Sequence, residues 1–259
     1  MMENKYTKLF ATAITVFYMI VSTSPELQAQ KKRNIKTQQT DTIYINYNKG
    51  QVKINLNFSK GPSHNHPTFA IWLEGKKGSY IETLFVTEYI SSGIFGYADA
   101  GDWSWKNEKG EALRPAALPY WSHKRNVISR DSLLIPTPEN PVPDAISSAT
   151  PKNSFVLKTS AAKNLPDQFY ILLEINQTWD WNAFWTNNKY PNDKDYKTSS
   201  QPSIIFAAQI DLSKANKEIR LKPIGHGHYA GKDGELYKDL STFTTALDIA
   251  AEITVTITK

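Results

Sequence analysis

Two stretches of the chain alternate apolar and polar residues almost strictly. Val52, Ile54, Leu56 and Phe58 are interleaved with Gln51, Lys53, Asn55 and Asn57, and Ile253, Val255 and Ile257 with Thr254, Thr256 and Thr258. A period of two predicts strands with one buried and one wet face. Runs at 42–47, 68–74, 80–88, 154–159, 168–176, 203–212 and 218–224 predict further strands. Residues 47–51 and 75–78 carry the Asn, Lys and Gly of hairpin-like connections. Many short strands, turn residues between them and no long amphipathic helix predict a mainly β chain folded as a single antiparallel Ig-like β-sandwich.

Two long connections interrupt the pattern. Residues 89–153 hold Trp103, Trp105 and Trp121, and residues 178–201 hold Trp179, Trp181 and Trp185. Connections of this length are commonly functional or wrapped onto the core. Within the first, Arg114-Pro115-Ala116-Ala117-Leu118 predicts a short helix with Pro115 in its first turn.

The first 29 residues have a different character. Lys5 and Lys8 precede an apolar run over 9–21, and small Ala29 suits the position before a cleavage site, so residues 1–29 read as a signal peptide. The expected organisation is this signal, a basic flexible leader over 30–40 and a sandwich domain over 41–259, in a periplasmic or secreted protein. No later run approaches the roughly 20 apolar residues of a membrane helix, so no transmembrane span is expected in the mature chain.

Charge and sulfur narrow the chemistry. The net charge is +5, but Lys31, Lys32, Arg33 and Lys36 lie in the leader, which leaves the body near neutral and gives no reason to expect a nucleic-acid partner. There is no Cys, and Met1, Met2 and Met19 all fall in the signal. That excludes thiol nucleophiles, c-type haem attachment and iron–sulfur ligation, and leaves any metal to His, Asp or Glu.

The five histidines fall as His64-Asn65-His66, His123 and His226-Gly227-His228. Residues two apart on an extended chain point to one side, so either pair could give two imidazoles to zinc or copper, with His123 or a carboxylate as a third ligand. Flanking Gly and Pro equally suit solvated loop histidines. Trp179, Trp181 and Trp185, together with Trp121, are candidates for stacking on a sugar, a flavin or a protein partner, or else rings that cap the end of the sandwich. The sequence holds no nucleophile elbow, phosphate loop, dinucleotide fingerprint or zinc-protease helix, so the expected role is non-enzymatic.

Three blocks occur in order: residues 67–74 with 80–85, the stretch Arg114-Pro115-Ala116-Ala117-Leu118-Pro119-Tyr120-Trp121-Ser122-His123, and residues 144–150. Over roughly residues 40–180 they resemble the predicted periplasmic proteins grouped as domain of unknown function 2271. The resemblance implies an envelope β-sandwich and an association with systems that attach FMN covalently to exported redox proteins. Asp144-Ala145-Ile146-Ser147-Ser148-Ala149-Thr150 is similar to the acceptor recognised by FAD:protein FMN transferases. Carried over, Thr150 would receive FMN as a phosphoester, with Asp144, Ser147 and Ala149 as recognition residues. The partner would be such a transferase or an envelope redox protein. Ser148 stands where the acceptor has Gly, and Pro151-Lys152 where a second hydroxyl is usual; the same hydroxyls also suit a turn.

Overall fold

The computed structural model describes residues 40–101, 104–142 and 147–259. The signal, the leader up to residue 39, Trp103 and Asp144 lie outside the described residues. In chain order the strands are β1 (Thr40–Ile45), β2 (Lys53–Lys60), β3 (Thr68–Gly75) and β4 (Tyr80–Thr87), followed by the helix α1 (Glu88–Ser92). Four short strands come next: β5 (Ile94–Phe95), β6 (Ala98–Gly101), β7 (Ser104–Lys106) and β8 (Gly110–Glu111). After the helix α2 (Pro119–Arg125) the chain continues through β9 (Ser147–Ser148), β10 (Ser154–Ser160), β11 (Gln168–Asn176), β12 (Ile204–Asp211), β13 (Glu218–Arg220), β14 (Lys222–His226) and β15 (Ala250–Thr258).

Eleven of these strands form two packed sheets, ordered β1-β10-β2-β15-β13 and β14-β12-β11-β3-β4-β9, so the chain is the expected β-sandwich; β5 pairs with β8 and β6 with β7. Pairing is mostly antiparallel, with β1–β10 and β4–β9 parallel. Residues 47–51 are not a hairpin turn, because β10 lies between β1 and β2; residues 75–78 do join the paired strands β3 and β4. The expected strand at 218–224 divides at buried Leu221: β13 edges the five-stranded sheet and β14 the six-stranded one.

The two strictly alternating strands, β2 and β15, lie side by side in the five-stranded sheet. Ile54, Leu56, Phe58, Ile253, Val255 and Ile257 are buried in the sandwich. On its outer face Asn57 donates to Thr254, and Thr254 to Glu218. Strands β3, β11 and β12 read instead as continuous apolar runs because they are covered on both sides, the pattern of a doubly buried sheet. Phe69, Ile71 and Leu73 face the sandwich interior, where Phe58, Phe69, Phe85 and Phe155 stack with centroids 5.0–6.0 Å apart. Ala70 and Trp72 face a second core formed with α1, α2 and the short strands.

The first long connection is therefore a third layer rather than a loop. Its helix begins at Pro119, not at Pro115 as expected. Arg114 to Ala117 closes a turn, and Pro119 takes the first helical position, where its missing N–H costs no hydrogen bond. Among the described residues no helix is long and apolar enough to cross a membrane.

Candidate functional site

One end of the six-stranded sheet gathers every connection that carries a candidate site residue. There β3 begins, β4 and β11 end, β12 begins and β14 ends. The connections leaving that end carry His64 and His66, Thr150, the 178–201 tryptophans, and His226 with His228. They do not converge. Thr150 follows β9 at one edge and His226 closes β14 at the other, five inter-strand steps or roughly 24 Å away.

The histidines separate further by environment. His64 is buried edge-on against Phe58, 5.8 Å between centroids, and burial, with Lys60 beside it, lowers its pKa to about 4. His66 bonds its neighbour Asn65, and His123 Nδ1 donates to the Pro119 carbonyl in α2. Among the described residues no three His, Asp or Glu are grouped to hold a metal ion. The hydrogen bonds of the remaining pair also fix their tautomers. His226 Nδ1 donates to the Gly227 carbonyl at 2.7 Å, leaving its Nε2 lone pair free. His228 Nδ1 accepts from the backbone N–H groups of Ala230 and Lys232, so the neutral ring carries its proton on Nε2, 3.9 Å from Asp233. The one lone pair of His228 is thus already engaged, which disfavours it as a metal ligand.

The tryptophans also part company. Trp121 cannot stack on a ligand: it is 0% exposed in the second core and its indole N–H donates to Thr83 at 2.9 Å. Trp179 and Trp181 are 58% and 39% exposed, and Trp179 holds a left-handed backbone, φ 60°. Trp185, 6% exposed, packs onto the main core and donates its indole N–H to Thr242. A polar net around Gln201, which bonds the Asp180 carbonyl, Thr245, Thr244 and Asn182, ties this connection to the C-terminal segment.

What assembles at the β14 edge is a cleft of about 170 Å³ lined by Trp185, His226, His228, Tyr229 and Tyr237, with an accessible wall that is almost wholly apolar. His226 lies flat on Tyr237, 5.3 Å between centroids, and Trp185 stands at 70° to His226. His228 stands at 62° to Tyr237 and lies on Tyr229, which lies in turn on Tyr190 at 4.0 Å. Rings at such angles form a box rather than one continuous stack. Burial lowers the pKa of both histidines, opposed at His226 by its hydrogen bond to the Gly227 carbonyl and at His228 by the charge of Asp233.

The alternation Gly225-His226-Gly227-His228 has a local cause. Residues 225–227 are pressed between two neighbours. A Cβ at Gly225 would lie 2.5 Å from the Tyr237 carbonyl, and one at Gly227 would lie 2.6 Å from Pro119 and 2.7 Å from Ser203 Oγ. The glycines let β14 approach both, while residues two apart present their imidazoles to one side. Behind Gly227 sits Glu174, fully buried, accepting from the Tyr120 and Trp121 N–H groups and from Ser203. Burial raises its pKa to about 7 against those three bonds. This carboxylate joins the sheet to the first turn of α2.

The acceptor-like block is only partly described. Ser147 and Ser148 pair in parallel with Val86 and Thr87, so the block ends as an edge strand. Ala149 beyond it is exposed and Thr150 half-buried. The sequence reading missed Tyr190, Tyr229 and Tyr237; the only signal was the aromatic residue following the Gly-His-Gly-His run. The chain matches no family model, no curated protein and no solved structure among those compared.

Proposed function

We propose that this chain is an exported, non-catalytic binding module of the bacterial envelope and that its ligand occupies the ring-lined cleft at the end of β14. The observation that carries this reading is the convergence of five aromatic rings from three separate segments on one open space. Such concave, largely apolar sites are where proteins hold small molecules. The likeness of residues 40–180 to domain of unknown function 2271, and the signal-like N-terminus, support the envelope setting. The test is a panel of mono- and oligosaccharides, aromatic acids and organic cations, read by tryptophan fluorescence and thermal shift. A response that disappears when Tyr237 is replaced by Leu supports the reading; a panel without any response counts against it. N-terminal sequencing of protein from its native host decides the export.

A second reading has its own support. Thr150, half-buried, lies two residues beyond an edge strand with exposed Ala149 before it, which supports access to this block for an FAD:protein FMN transferase. In that reading the protein is an accessory of flavin-linked envelope redox systems. Co-expression with a transferase, followed by mass analysis of the peptide containing Thr150, tests it. An FMN adduct absent from the wild type, or one that survives Thr150→Ala, defeats it.

A further inference from the structure

We propose that the cleft is an aromatic cage for a methylated ammonium group, the head of a choline-like or betaine-like molecule; this rests on the cleft being the ligand site. Three observations choose that class. The first is shape: a volume of about 170 Å³ is well below the roughly 300–1,000 Å³ filled by drug-sized ligands, so the site takes a compact head rather than a chain of sugars. Its walls are ring faces set at steep angles, with Trp185 and His228 each nearly upright against the His226–Tyr237 pair. A compact cation in such a box meets several π faces within about 6 Å of their centroids.

The second observation is what the walls lack. Their accessible surface offers almost no polar atom. A saccharide would leave its hydroxyls unpaired there, and so would a primary ammonium or a guanidinium its N–H groups. A trimethylammonium head carries its charge without any N–H and leaves nothing unsatisfied.

The third is charge. Asp233 accepts from the Tyr237 hydroxyl at 3.0 Å and lies 3.9 Å from His228 Nε2, and Asp239 sits close enough to His226 to raise its pKa. Both imidazoles are kept neutral by burial near pH 7 and do not oppose a cation. Of the nearby cations, Lys232 pairs with Asp193 at 2.7 Å, and Lys189 sits over the Phe184 ring and 5.0 Å from the centroid of Trp185.

The experiment is calorimetric titration of the folded chain with choline, with tetramethylammonium and with the uncharged isostere of choline, in which a tert-butyl group replaces the trimethylammonium. Choline should bind at least about tenfold more tightly than the isostere, because the cation–π component is absent from the latter. Tyr237→Leu, at a partly exposed ring outside the main core, should weaken choline about fivefold or more, and Asp233→Asn about two- to threefold. Equal affinity for choline and the isostere overturns the cage while leaving an apolar ligand site. No binding of any of the three, with a saccharide or aromatic acid responding in the wider panel, overturns the ligand class but not the site. Silence throughout overturns both.

Discussion

The two tryptophan-rich connections use the same residue for opposite purposes. In 89–153 the ring of Trp121 is sealed under the sheet, its N–H fixed on Thr83, and the segment has become a layer of the core. In 178–201 the rings spread from sealed to open: Trp185 on the core with one edge on the cleft, Trp181 partly covered and Trp179 more than half exposed. What distinguishes them is the surface each connection meets. The first faces a sheet whose outward residues are largely apolar, Ala70, Trp72, Val86, Leu172 and Ile205, so covering it is favourable. The second runs past the end of the sheet, where Trp185 and Tyr196 pack on the core while a polar net around Gln201 holds the chain near Asp180 and Asn182. Aromatic content alone therefore does not mark a ligand site.

Substitutions can break or sharpen this contrast. Trp121→Ala should have the largest effect, about 3–5 kcal/mol of stability, since it opens a cavity in a closed core. Denaturant unfolding measures it, and a loss under about 1 kcal/mol would mean that the first connection is no more a core layer than the second. Next comes Glu174→Ala, which leaves the Tyr120 and Trp121 N–H groups and the Ser203 hydroxyl without their acceptor, at a cost of about 3 kcal/mol.

Glu174 also predicts a pH signature. Its pKa is held above the ordinary 4.5, at about 7, so the folded chain binds that proton more tightly than the unfolded one. The stability it contributes is full below pH 4.5 and is lost as pH rises through 7. Glu174→Gln, which cannot titrate, should therefore gain on the wild type across that window in paired melts; parallel curves would show that the buried carboxyl does not titrate there.

Smaller effects belong to the second connection. Trp185→Phe keeps a ring on the core but loses the bond to Thr242, and should cost about 1–2 kcal/mol while weakening whatever the cleft binds. Trp179→Ala should lie within about 0.5 kcal/mol of the wild type in thermal melts. A cost at Trp179 equal to that at Trp121 would erase the distinction between the two connections.

The same physics decided what could be read in advance. β2 and β15 were legible because one face of their sheet is wet, which prints the period of two directly into Ile54, Leu56, Val255 and Ile257. β3 and β12 were legible only as apolar runs, because both faces are covered and the alternation is hidden. The break at Leu221 left no mark, since moving from one sheet to the other requires only a buried apolar residue between two short strands. At the cleft, the two-residue spacing of His226 and His228 is legible as two imidazoles turned one way, and both line the same space. Their chemistry was not readable, because it depends on Ala230 and Lys232 occupying the Nδ1 lone pair and on Tyr237 arriving from eleven residues downstream of His226 to lie on its ring. Trp121 was misjudged as a stacking ring because nothing in its own neighbourhood announces Thr83 and the sheet beneath it.

The place of β15 has a consequence for the order in which the molecule comes together. It lies between β2 and β13, and its register joins Phe58 to Ile253 and Leu56 to Val255. The other neighbour of β2 is β10, about a hundred residues along the chain, so the amphipathic stripe of β2 has no local partner. The six-stranded sheet, by contrast, can start from the β3–β4 hairpin. Folding should accordingly be polarised: the six-stranded sheet nucleates early, and the five-stranded sheet waits for distant ends of the chain to meet, the slow step expected of such high contact order. Until then the stripe of Ile54, Leu56 and Phe58 is an unpaired edge, and the nascent chain is most exposed to aggregation in that interval.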